Sequence, residues 1–168
     1  MNKLIIILWC LSAHYFGLAQ SNFYSKNLKQ LTFPSKIDSI ESKGVKFYYN
    51  NLPDILYECL VSFSDDSINQ KKFNRRLQIF IEGFFSNESW KSFQREQVDT
   101  TMGGVEGILV HGYSPSKPVG VEEFFGFFTN VEKTYYVILA AAKKELTSDL
   151  KKEIDRYLSS ATFEGKNY

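Results

Sequence analysis

The sequence predicts an α+β fold built on an antiparallel β-sheet. Several stretches alternate apolar and polar residues with the period of two that marks a half-buried strand. Two others repeat apolar residues at the 4, 3, 1 spacing of an amphipathic helix. Two runs, Val121 to Thr129 and Thr134 to Ala142, are apolar on both faces, as strands are when sandwiched between two layers.

The first 19 residues read as a secretory leader rather than as part of the fold. Lys3 supplies the positive start, Leu4 to Leu11 is a short apolar run, and Gly17-Leu18-Ala19 has the small-x-small pattern of a cleavage site. Eight apolar residues fall well short of the ~20 a spanning helix needs. Trp9 precedes Cys10, where a lipidation signal wants a small residue, so Cys10 is not read as a lipid anchor. Cleavage after Ala19 leaves 168 − 19 = 149 residues beginning at Gln20, read as a single domain over 20–168. No later stretch is long enough for a transmembrane helix, which places the mature chain in the periplasm or outside the cell.

Those 149 residues carry 20 − 1 = 19 basic and 19 acidic side chains, since Lys3 is the leader's one basic residue. A chain without net charge lacks the basic footprint of a nucleic-acid binder. Cys59 is the one cysteine left after Cys10, so no internal disulfide can staple the fold. The core must do that work, and its material is mainly phenylalanine and tyrosine.

In chain order, Val45, Phe47 and Tyr49 share one face of a first legible strand, and Asn50 to Pro53 turn it. In the next strand Ile55, Tyr57, Cys59, Val61 and Phe63 alternate with Leu56, Glu58, Leu60 and Ser62. A helix follows, capped by Asp65, Asp66 or Ser67, with an apolar stripe of Phe73, Leu77, Phe80, Ile81 and Phe84. Lys71, Lys72, Arg75 and Arg76 form its solvated face, which also holds Ile79. Asn87 to Trp90 can start a short second helix anchored by Trp90 and Phe93, and Gln94 to Thr101 is a polar strand or loop. Gly103-Gly104 then supplies the positive φ angles of a two-residue hairpin. Val105 to Tyr113 continues as a strand with Leu109 and His111 on one side and Ile108 and Val110 on the other, until Pro115 to Pro118 breaks it. Short connections make the strands that follow antiparallel neighbours. Thr147 or Ser148 caps a closing helix that buries Leu150, Ile154, Tyr157 and Leu158, and Phe163 plugs the core behind it.

The same order of elements carries a resemblance. "LTFPSK" at Leu31 to Lys36 leads in, "GGVEGILVHGY" and "TYYVILAAA" follow, and the closing helix ends "LSSATF". Over most of residues 23–164 the chain resembles the PsbP-like superfamily, whose bacterial members include exported DcrB-type proteins. The resemblance implies an α/β/α sandwich, an antiparallel sheet covered by helices on both faces. It also implies accessory binding to a larger assembly without catalysis, and it transfers no functional residue.

Catalytic chemistry finds little support. With the leader gone, His111 is the remaining histidine, with Asp99 or Glu106 as candidate orienting acids, but no G-x-S-x-G elbow presents a serine to it. His111 and Cys59 are 111 − 59 = 52 positions apart and form no metal-ligand cluster. "GGVEG" lacks both phosphate-loop patterns and is followed by strand. Glu122 and Glu123 are neighbours whose side chains point to opposite faces. No catalytic, cofactor-binding or metal-binding residue is assigned, and no cofactor is expected. Phe124, Phe125, Phe127, Phe128, Tyr135 and Tyr136 form the pool from which a ligand-cavity wall would be drawn, against the alternative of a close-packed core.

The sequence thus reads as a non-enzymatic exported accessory or binding protein of the bacterial envelope, its partner another envelope protein. The alternatives are a carrier of an apolar or lipid-like ligand and, third, a hydrolase using His111.

Overall fold

The computed structural model describes residues 20–42, 44–63, 70–86, 90–114 and 120–165. The leader, the cap residues Asp65, Asp66 and Ser67, the Asn87 to Ser89 segment and the Pro115 to Pro118 break lie outside the described residues, as do the side chains of Lys71 and Lys72.

Strands β1 (Ser21–Phe23), β2 (Leu28–Phe33), β3 (Asp38–Ser42), β4 (Val45–Asn51) and β5 (Ile55–Phe63) precede helix α1 (Gln70–Phe85). Strands β6 (Gln94–Met102), β7 (Val105–Tyr113), β8 (Glu123–Val131) and β9 (Thr134–Ala142) then lead to helix α2 (Ser148–Ser159) and a short β10 (Thr162–Phe163). A seven-stranded sheet has the order β3-β4-β5-β9-β8-β7-β6, and β1-β2-β10 form a second sheet of three. All the pairings are antiparallel.

The apolar alternation of β5 sorts its residues between two cores. Ile55, Tyr57, Cys59 and Val61 join one cluster together with Leu28, Leu31 and Phe33 of β2 and with Leu150, Ile154, Tyr157 and Leu158 of α2. Leu60 joins the other, where Phe73, Leu77, Ile81 and Phe85 of α1 meet Phe124, Phe128, Val137 and Leu139. The series ends one residue earlier than its pattern suggests, for Phe63 is 58% exposed at the strand's end. Strands β8 and β9 feed both clusters, which is why their sequence is apolar on both faces. The buried stripe of α1 is a strict i, i+4 series ending at Phe85, while Phe80 and Phe84 flank it half-buried. Ile79 is exposed, as its place on the charged face predicts.

This arrangement corrects the expected α+β sandwich with helices covering both faces. The chain is mostly β, with two sheets and only two helices among the described residues. The physical reason is width. Seven strands at about 4.8 Å spacing span roughly 29 Å, whereas one helix with its side chains is about 10–12 Å across. Neither helix forms a layer, and α2 shares its side of the sheet with β1, β2 and β10. Residues 90–92 are turn rather than a second helix, though Phe93 is buried and Trp90 packs against it with ring centroids 5.3 Å apart.

Candidate functional site

The glycine pair is a hairpin turn, with φ +59° at Gly103 and +90° at Gly104. It places Met102 opposite Val105 and runs β6 and β7 in register to Gln94 opposite Tyr113. Gly103 has a second duty. A Cβ there would lie 2.3 Å from the Ala161 carbonyl oxygen, and the Phe163 amide donates to the Gly103 carbonyl at 2.8 Å. The hairpin is therefore also the seat of the C-terminal segment.

The register aligns three rungs on the α2 side of β6, β7 and β8. Val98 lies beside Leu109 and Phe127, Glu96 beside His111 and Phe125, and Gln94 beside Tyr113 and Glu123. In the middle rung the His111 ring lies flat on Phe125, centroids 4.4 Å apart and planes 5° from parallel. Its Nε2 is 2.6 Å from Oε1 of Glu123, whose strand is adjacent. At the outer rung the Tyr113 hydroxyl donates to Gln94 Oε1. The rungs run from buried Phe127 outward to Val98, which is 61% exposed, and to Tyr113, 47% exposed.

His111 is thus a satisfied, half-buried strand residue one strand in from the edge. Its acid is Glu123, not Asp99 or Glu106, which instead line a cleft of about 330 Å³ with Phe73 and Asn74 at the start of α1. Cys59 is wholly buried in the α2-side core, and burial pushes its thiol pKa up, which keeps it protonated. No group of three or more histidine, cysteine or acidic residues able to hold a metal occurs among the described residues. Four of the six residues of the aromatic pool are core, and Phe125 and Tyr135 are half-buried. Phe124 stacks on Phe85 at 5.3 Å, Phe128 meets Phe84 at 5.5 Å edge-on, and Tyr135 stacks on Phe80 at 4.5 Å. Phe124, Phe127, Phe128 and Tyr136 have no exposed surface.

A different cavity, of about 430 Å³, opens at the other end of the same side of the sheet. The turn after β4 contributes Leu52, β5 contributes Tyr57, and α2 with its C-cap contributes Glu153, Arg156, Tyr157 and Ser160; Thr32, Pro34 and Gln20 complete the wall. Two features hold these parts together. The Tyr157 hydroxyl reaches through to the Glu58 carbonyl at 2.8 Å, and Ser160 Oγ accepts from the Thr32 amide at 2.9 Å. Burial, then the Glu153 charge and a hydrogen bond to it, push the Tyr57 pKa above its ordinary value. No residue of this cavity stood out in the sequence, because its walls come from four separate segments.

Compared with known proteins, the chain matches no family model and no curated sequence. No helix among the described residues is long and apolar enough to cross a membrane.

Proposed function

We propose that the protein is an exported, non-enzymatic binding module of the bacterial envelope, and that another envelope protein docks on the open strands β6 to β8. The observation that carries this reading is the exposed end of the three rungs. Val98 and Tyr113 stand in solvent beside half-buried Leu109, His111 and Phe125. An aliphatic and aromatic surface interleaved with Gln94, Glu96 and Glu123 is the mixed kind that a protein partner covers. The nine-residue strand β6 is an edge of the sheet among the described residues, and an edge strand can be joined by a partner strand. The flat stack of His111 on Phe125 and its bond to Glu123 hold the imidazole in place within this surface.

A photo-crosslinking residue placed at Val98 in the exporting host tests this. A discrete protein adduct is expected from Val98 and none from Ile79, which is 63% exposed on α1 and serves as the control. Equal labelling from both positions, or none from Val98, counts against the interface. His111→Ala removes the ring stacked on Phe125 and is expected to weaken the adduct. A hydrolytic activity that disappears in that variant would restore the enzymatic alternative.

A further inference from the structure

We propose that the cavity between α2, β2 and the β4–β5 turn binds a compact zwitterion with an apolar body, of the size and kind of a hydrophobic dipeptide. Its volume of about 430 Å³ lies in the range of small-molecule sites. Pro34, Leu52 and the rings of Tyr57 and Tyr157 supply the apolar surface. Gln20 aside, several polar atoms of this wall are already engaged inside the protein. Tyr157 donates to Glu58, and Ser160 Oγ is held by the Thr32 amide and donates to the Tyr157 carbonyl at 2.7 Å.

What remains for a ligand is one charge of each sign. Arg156 makes no ion pair among the described residues, and its guanidinium is a planar, bidentate donor suited to a carboxylate. Glu153 lies beside Tyr57 and has acceptor capacity for an ammonium. The two lie three residues apart on one helix face, which sets their Cβ atoms about 5–6 Å apart. The ends of an extended dipeptide are separated by a similar length, about 7 Å at most. A simple anion meets repulsion from Glu153 and a simple cation meets it from Arg156. A zwitterion satisfies both, with its side chains against Leu52 and Pro34. This site is separate from the β6–β8 surface, and either can fail without the other.

The test is calorimetric titration of the mature protein, purified from the exporting host, with leucyl-phenylalanine, its N-acetyl form and its C-terminal amide. The free dipeptide is expected to bind, and blocking either end to weaken it by about tenfold or more, the value of one charge-assisted hydrogen bond. Arg156→Gln should erase the difference between acid and amide while keeping that between free and acetylated amine. Glu153→Gln should do the reverse, and both side chains are exposed, so the variants are expected to fold with the wild-type circular dichroism. Absence of binding at millimolar dipeptide, equal affinity for all three ligands, or variants that lose both discriminations alike overturns the proposal.

Discussion

The two glycines of the β6–β7 hairpin offer a paired test of how the C-terminal segment is held. Alanine at Gly104, φ +90°, meets no atom within 4 Å, so Gly104→Ala carries only the cost of a left-handed backbone, about 1–2 kcal/mol. Alanine at Gly103, φ +59°, carries the same cost and sets its Cβ 2.3 Å from the Ala161 oxygen and 3.1 Å from the Phe163 ring. Both neighbours belong to the segment that must retreat. That retreat breaks the 2.8 Å bond from the Phe163 amide to the Gly103 carbonyl, worth about 1 kcal/mol. It also loosens the Phe163 ring from Tyr136, 5.4 Å away edge-on, for about another 1 kcal/mol. Gly103→Ala should therefore cost about 2 kcal/mol more than Gly104→Ala. Urea unfolding reads this as a midpoint about 1 M lower, for a slope near 2 kcal/mol/M. Hydrogen exchange at the Phe163 amide supplies the second readout: protection falls in Gly103→Ala and persists in Gly104→Ala. Equal midpoints and equal protection in the two variants would falsify the account of Gly103 as the seat of the tail.

Three further outcomes follow from buried groups and one cap. Burial raises the pKa of Glu58, so the ionised carboxylate destabilises the fold as pH rises from its ordinary 4.5. Glu58→Gln should therefore be more stable than wild type at pH 7 and no more stable at pH 3, by urea midpoints at each pH. Burial also raises Cys59, Tyr57, Tyr136 and Tyr157 above ordinary values of 9.0 for the thiol and 10.0 for the phenols. The native state keeps these protons where the unfolded chain releases them, so their contribution to stability is full below about pH 8 and declines as pH rises through 9 and 10. Urea midpoints between pH 8 and 10.5 should fall steadily, and Cys59→Ala should flatten the first part of that fall even though it lowers stability overall. Thr147 accepts a bond from the Leu150 amide at 3.3 Å from an extended conformation, the geometry of an N-cap. Thr147→Ala should cost about 1 kcal/mol in the same assay, whereas Ser148→Ala should cost much less.

Strands that bury their own side chains were legible, and those held by partners were not. The run Thr134 to Ala142 is β9 with those bounds, and the stripe Leu150, Ile154, Tyr157 and Leu158 is the buried face of α2. Both signals are local, since each residue's burial shows in its own hydropathy. By contrast, all five residues of β3 are exposed, and the strand exists because it pairs with β4. β2 is fixed by β10 from the far end of the chain, a contact no window of sequence contains. The run starting at Val121 is apolar, but pairing begins at Glu123, opposite Ala142. The same difficulty hid the His111 to Glu123 bond. Seeing it requires the β7–β8 register that sets His111 opposite Phe125 and Tyr113 opposite Glu123. The sandwich of helices failed differently: the element order was readable, but how much of a seven-stranded sheet two helices can cover is a question of width.

That shortfall of cover also accounts for where the two proposed binding surfaces fall. The helices sit over the middle of the sheet, α1 against β8 and α2 against β9. There the strands need apolar residues on both faces, and β9 is buried along nearly its whole length. Away from the middle the demand relaxes on the side that loses its cover. On the α2 side, β6 and β7 can carry Glu96, Val98, His111 and Tyr113 in contact with solvent at no cost to the core. At the opposite end of that side, α2 runs out over β5 and leaves a space beneath Glu153 and Arg156 that β2 closes only in part. A charge at Ala140 or Ile138 would be buried and unpaired, whereas the same charge at Val98 would remain hydrated. Both proposed surfaces lie at these two margins, where the chain can vary its chemistry without burying a charge.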